Sequence, residues 1–280
     1  MKPLITLVSV FIFININAQK YPIQEIDWNA LQTTKPWEAS EVWTPIPDKV
    51  TPGMTNSMAP SDAIVLFDGN NLSNWQKPKY YWGAKFQDTE GHVLNNINEN
   101  FPGTKPEWHI KSGAIEVVPG RGNLATKQKF GSVQLHIEWL PPVDLGKEGQ
   151  LYSNSGVFFM GLYEIQVLNS YENKTYPNGQ AGSVYKQHIP LVNANKPPGE
   201  WQSYDIVFNA PQFDKKGGVT KKATFTVFMN GVLVQNNVEV SGPTFYIGEP
   251  KYIQHPEKMP LVLQDHGDKV RFRNIWVREL

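Results

Sequence analysis

Residues 131–139 constrain the fold of this chain more than any other stretch: Val133, Leu135, Ile137 and Trp139 alternate without interruption with Gln134, His136 and Glu138. A period of two sends successive side chains to opposite sides of an extended backbone, so the segment is a strand with one apolar and one polar face. Two more alternating runs, 224–229 and 232–235, flank Asn230-Gly231. That dipeptide is the strongest short-range hairpin signal, because both central residues of a type I′ turn take positive φ. Further strands are expected at 61–69, at 108–118 around a Ser112-Gly113 turn, and at 201–209, 261–264 and 272–278. No long 3.6-residue apolar period follows the first 18 residues, so helices should be few and short. Many short strands joined by turn chemistry imply an all-β fold of two packed antiparallel sheets, a β-sandwich.

The 280 residues suffice for one ample core, and β-sandwiches of this size fold as single domains. Lys plus Arg and Asp plus Glu each number 26, so no basic surplus points to nucleic acid. Residues 1–18 read as a secretory signal with Lys2 at its charged start, an apolar core from Leu4 to Ile14, and cleavage after Ala18. This apolar run is too short to span a membrane, and no later one approaches the required length. There is no cysteine, so neither a disulfide framework nor a lipid-anchoring thiol is available. A bacterial periplasmic or secreted location follows as the expectation. Residues 19–60 are rich in Pro and Trp, including Trp28, Trp37 and Trp43. Proline removes ladder donors, so an extended arm packed through its tryptophans is expected, followed by the sandwich from 61 to 280.

Two polar strand faces carry the chemical interest. Glu164 and Gln166 project together from an otherwise apolar strand, and His136 and Glu138 do the same on another. If those strands are neighbours, the four groups converge. Such a face, rich in directed donors and acceptors but poor in net charge, suits a polyhydroxylated ligand.

The runs 64–75 (IVLFDGNNLSNW) and 130–139 (FGSVQLHIEW), Asn154-Ser155-Gly156-Val157, 163–168 (YEIQVL), Leu263-Gln264-Asp265-His266-Gly267 and 270–275 (VRFRNI) resemble the 3-keto-disaccharide hydrolase family across roughly residues 62–280. The resemblance implies a concanavalin A-like jelly roll, export in glycan-degrading bacteria, and action on glycosides already oxidised at C3 by a separate enzyme. A C3 ketone acidifies the C2 proton, so a base there allows elimination of the C1 substituent, after which water adds. The reaction needs a base, a hydrogen-bonding or cationic partner for the enolate oxygen, and an acid for the leaving group. No nicotinamide fingerprint is present.

For that chemistry His136, Glu138, Glu164 and His266 are the catalytic candidates. Lys127, Asn154, Gln166, Tyr185, Gln264, Arg271 and Asn274 are the substrate-binding candidates. No cofactor is demanded, although His136, Glu138, Glu164 and His266 would together suit a divalent metal ion acting on the C3 oxygen. Three other readings stand beside this one. They are a non-catalytic carbohydrate-binding module, a two-carboxylate glycoside hydrolase pairing Glu138 with Glu164, and an interaction domain whose polar faces are merely solvated.

Overall fold

The computed structural model describes residues 35–79, 102–144 and 146–280. The expected signal at 1–18 and the first part of the arm, Trp28 included, lie outside the described residues. Contacts divide the chain into one unit ending at Lys49 and a second spanning Val50–Glu279. In the first unit the sequence Pro36–Ser40 forms a short 3-10 helix. Trp37 and Trp43 are 62% and 80% exposed.

The second unit is built of strands β1 (Ile64–Phe67), β2 (Trp75–Gln76), β3 (His109–Lys111), β4 (Ala114–Glu116), β5 (Leu124–Phe130), β6 (Val133–Leu140), β7 (Ser155–Phe159), β8 (Tyr163–Val167), β9 (Gln202–Asn209), β10 (Gln212–Phe213), β11 (Val219–Lys221), β12 (Thr224–Met229), β13 (Val232–Glu239), β14 (Met259–Leu263) and β15 (Arg271–Glu279). They form an eight-stranded sheet in the order β13-β12-β9-β6-β15-β4-β3 with β1 added to β15, and a five-stranded sheet in the order β2-β5-β14-β7-β8. A small β10-β11 ladder lies apart. All named pairs are antiparallel. Helical structure in this unit is confined, among the described residues, to the 3-10 turns Gly149–Leu151 and Pro177–Gly179.

Three hairpins share one device. Ser112-Gly113, Met160-Gly161 and Asn230-Gly231 all take positive φ at both positions, the requirement of the two-residue turns whose twist matches that of paired strands.

The two sheets face each other across one core. The eight-stranded sheet contributes Leu135, Ile137, Trp139, Tyr204, Ile206, Phe208 and Phe225, and the five-stranded sheet Val157, Phe159, Tyr163, Ile165, Leu261 and Leu263. Phe159, Phe208 and Phe225 meet with ring centroids 4.8–5.1 Å apart, within the range in which aromatic pairs add to area burial. A buried hydroxyl also crosses the core: Tyr204 Oη on β9 donates to the Gln166 carbonyl on β8 at 2.7 Å. Period two then dictates that whatever alternates with these core residues points away from the core. This places the polar face of β6 and the polar face of β8 on opposite sides of the sandwich.

Candidate active site

The face of the five-stranded sheet turned away from the core is organised in two rows. In one, register aligns Glu164 on β8, Phe158 on β7, Val262 on β14, Ala125 on β5 and Gln76 on β2. Its central members Phe158, Val262 and Ala125 form a small apolar cluster separate from the main core. In the second row Gln166 stands opposite Gly156, and Gln264 lies alongside, its N–H donating to the Gly156 carbonyl at 3.0 Å. Asn123 closes this row, its side-chain oxygen accepting from the Asp265 N–H at 2.9 Å. A short apolar strip is thus bordered by side-chain amides and one carboxyl.

Glu164 is 4% exposed. Burial without a compensating cation raises its pKa from 4.5 to about 8, the ordinary consequence of removing a carboxylate from water. Gly156 makes room for it: a Cβ at that position would collide with Glu164 Oε1 and come within 2.8 Å of the Phe158 ring. Gln166 is held among amides, its Nε2 lying 3.3 Å from Gln150 Oε1 and 3.4 Å from Asn154 Oδ1. Turned over, the same amide donates to Glu164 Oε1 at 3.1 Å and to the Ser155 carbonyl at 3.2 Å. That orientation removes an oxygen–oxygen contact whenever Glu164 is ionised.

The segment 180–185 runs beside β8. The Gln166 N–H donates to the Ser183 carbonyl at 3.0 Å, and the Tyr185 N–H to the Glu164 carbonyl at 3.3 Å. This segment is a turn-rich loop in which Val184 makes only isolated bridges. Tyr185 shares a 2.7 Å hydroxyl hydrogen bond with Tyr176. Burial, then that bond and the negative charge of Glu164 hold the Tyr185 phenol above its ordinary pKa. Lys186 Nζ lies 4.3 Å from the centre of the Tyr246 ring, completing an aromatic edge next to Glu164.

On the other flank, Asn154 opens β7. Its N–H donates to Asp268 Oδ2 at 2.9 Å, and its amide to the Gln150 carbonyl at 2.8 Å. Gln264 Oε1 is buried and has no hydrogen-bond partner. Asp265 is a loop-shaping residue, accepting from Gly122 and Gly267 N–H groups at 2.9 and 3.1 Å. His266 is exposed in the following turn and lines two clefts, of about 510 and 360 Å³. Lys127 is exposed on β5 and lines a third, of about 700 Å³.

His136, Glu138, Arg271 and Asn274 are not part of this face. β6 and β15 belong to the eight-stranded sheet, whose outer side lies across the core from Glu164. The expected convergence of His136 and Glu138 with Glu164 and Gln166 is therefore corrected, and with it the four-ligand metal set. Among the described residues, no group of three or more His, Cys, Asp or Glu is disposed to hold a metal ion.

His136 and Glu138 form a charged cluster of their own. His136 Nδ1 sits 2.7 Å from Asp205 Oδ1, its Nε2 3.7 Å from Glu138 Oε1, and its ring stacks on Trp276 at 5.4 Å. Burial opposes the imidazolium, but the hydrogen bond to Asp205 and the nearby Glu138 carboxylate outweigh it and raise the pKa to about 9. Burial likewise opposes ionised Glu138, yet the nearby His136 imidazolium and hydrogen bonds from Asn274 and Arg273 bring its pKa down to about 2. Asn274 and Trp276 also donate to the Ser57 carbonyl at 2.8 and 2.9 Å, so the cluster anchors the segment preceding β1. Arg271 and Arg273 lie beside the Trp201 ring, at 5.9 and 3.9 Å from its centre. Asp205, the partner of His136, was missed by the sequence reading. The alternation of Tyr204, Ile206 and Phe208 turns Asp205 outward, but only the register of β9 on β6 sets it opposite His136.

The family model of the 3-keto-alpha-glucoside-1,2-lyase-like domain matches residues 62–278. The chain belongs to this family. A crystal structure from Parabacteroides distasonis, described as a "putative glycosyl hydrolase", is 43% identical, covers 87% of this chain and 96% of its own, and superposes with a TM-score of 0.75. A second structure from that organism with the same description is 15% identical over 83% of this chain and 100% of its own, with a TM-score of 0.54. At that identity it supports the fold alone. No curated protein sequence matches the chain. The family member described here is thus a β-sandwich of the glycosyl hydrolase-like kind, with a buried carboxyl and a set of amides on the outer side of its smaller sheet.

Proposed function

We propose that this family member cleaves a glycoside already oxidised at C3, with Glu164 as the group that moves the proton. The observation that carries the reading is Glu164 itself, buried on the outer side of the smaller sheet beside a row of amides, with no cation among the described residues offsetting its burial. Ionised Glu164 removes the C2 proton, and the electron pair of that C–H bond forms the C2–C3 double bond of an enolate. The enolate collapses with loss of the C1 substituent. The carboxyl, now protonated and inclined to remain so by its surroundings, delivers the same proton to the departing oxygen. Addition of water across the new C1–C2 double bond completes net hydrolysis. One carboxyl that serves first as base and then as acid suffices for this sequence.

A two-carboxylate hydrolase needs a partner about 5–5.5 Å away in the retaining case. Glu138, the partner that the sequence offers, lies beyond the core on the other sheet. Side-chain amides of Gln264 and Asn154 are placed to hold ring hydroxyls or the enolate oxygen, and the Tyr176–Tyr185 edge offers a surface for a sugar ring. A divalent metal ion remains a proposal without assigned ligands. Export to the periplasm or medium, and supply of substrate by a separate C3-oxidising enzyme, are part of the same proposal.

The test is a panel of 3-keto-glucosides and their unoxidised counterparts, followed by ultraviolet absorbance of the enone and by release of the leaving group. Turnover confined to the oxidised set supports the reading. Equal cleavage of both sets would favour the hydrolase, and binding without turnover a carbohydrate-binding module.

A further inference from the structure

Away from Glu164, the β2 and β5 side of this face carries a charge that the elimination does not use. The 510 Å³ cleft is lined by Lys77, Lys79, Arg121 and His266, among others. The 700 Å³ cleft is lined by Lys105, Lys127 and Lys129 together with Gln76. The two adjoin at Gln76-Lys77, the first residue lining one and the second the other. Six permanent cations are thus gathered along one side of a chain whose formal net charge is zero.

Among the described residues, few carboxylates stand beside them. Asp265 is the one carboxylate among the lining residues of the two clefts, and its two oxygens accept from the Gly122 and Gly267 N–H groups. Glu107 is shared, 2.9 Å from Lys77 and 3.6 Å from Arg121. Among the described residues, Lys79, Lys105, Lys127 and Lys129 have no carboxylate partner. A concave wall of one sign focuses potential and concentrates ligands of the opposite sign, and Lys and Arg supply charge-assisted donors to carboxylate or sulfate oxygens. The row that begins at Glu164 ends at Gln76, which lines the larger cleft, so one sheet carries the carboxyl at one edge and the lysines at the other.

We propose that these clefts form an anion subsite that receives the carboxylate or sulfate of an acidic saccharide, making the substrate of this enzyme an anionic glycoside. The substrate class rests on the functional reading above, whereas the anion subsite stands without it.

Two measurements separate them. In the first, the full mature chain and its Lys105→Gln/Lys127→Gln/Lys129→Gln variant are titrated with millimolar sodium sulfate while the melting temperature is followed. Low concentrations matter because molar sulfate stabilises any protein by exclusion from its surface. A saturable rise in the wild type that is lost in the variant is expected. No rise, or an equal rise in both, overturns the subsite. In the second, calorimetry compares maltotriose with the same trisaccharide oxidised at its terminal C6 to a uronic acid, and with its C6 sulfate ester, at 20 and 200 mM salt. Binding of either charged form at least tenfold tighter than the neutral one, with the advantage shrinking in salt and absent in the variant, is expected. The better of the two identifies carboxylate or sulfate as the group received. Equal binding of all three would overturn the acidic substrate while leaving a carbohydrate site intact. Saturable sulfate binding with no saccharide bound would overturn the carbohydrate reading and leave the anion subsite in place.

Discussion

Glu164 and His136 are two buried titratable side chains whose surroundings move them in chemically opposite ways. Glu164 has no cation, so burial favours its neutral form and its pKa rises from 4.5 to about 8. As the base, it must be ionised in the free enzyme, and kcat/KM is expected to climb with pH and level off above about 8. Glu164→Gln should lower turnover of a 3-keto-glucoside by about 10²- to 10⁴-fold without loss of fold. Linkage supplies the control. A carboxyl with a raised folded pKa contributes stability below 4.5 that is lost as pH rises through about 8, so near pH 8 the Gln variant should melt at or above the wild type. His136 behaves differently because Asp205 and Glu138 hold it charged, and its pKa rises from 6.5 to about 9. Its contribution to stability is complete below 6.5 and lost as pH rises through 9. That of Glu138 is complete above 4.5 and lost as pH falls towards 2. His136→Ala should cost about 2 kcal/mol, as lost hydrogen bonds to charged groups do, and should flatten the alkaline fall in melting temperature. The folded fraction should keep its turnover, and loss of turnover in fully folded protein would return His136 to the catalytic machinery.

At the scale of elements, the strands were legible and their partners were not. Alternation located β6, β9, β12 and β15, and Asn230-Gly231 located a hairpin, since each signal is local. Whether β6 lies beside β8 depends on contacts between residues far apart in sequence, which no local period encodes. Alternation alone therefore does not distinguish two polar faces that converge from two that the core holds apart, as those of β6 and β8 are. The alternation of 163–167 shows Glu164 and Gln166 on one side of β8, whereas the local pattern of 124–130 signals no strand at β5. Its Lys127 and Lys129 alternate with Thr126, whose side chain is buried and accepts from the Leu261 N–H at 3.0 Å. Gly156 illustrates a constraint visible only across strands. Gly156→Ala should place its methyl against Glu164 and Phe158 and destabilise by about 1–3 kcal/mol, the range of overpacked sites. It should also displace the carboxyl, so kcat/KM should fall further than the loss of folded protein explains, and the pH midpoint should move. A variant with unchanged midpoint and turnover would show that the glycine does not position Glu164.

For the whole molecule, the unit from Val50 to Glu279 contains both sheets and every residue of the candidate site. A protein beginning at Val50 should therefore fold with cooperative unfolding and full turnover. One beginning at Ile64 loses the Ser57 carbonyl that accepts from Asn274 and Trp276 and should melt lower, as differential scanning calorimetry would show. N-terminal sequencing of exported protein is expected to begin at Gln19. The aligned row on the outer side of the smaller sheet also acts as a measure of length. Five strands separate Glu164 from Gln76 by four steps, and neighbouring strands stand about 4.8 Å apart, so the row extends over ~19 Å. A single sugar with a small leaving group touches only one end of it. Chain length should therefore register in the kinetics, with kcat/KM rising until the oligomer reaches from the carboxyl edge of the sheet to its lysine-lined edge and levelling off beyond that length.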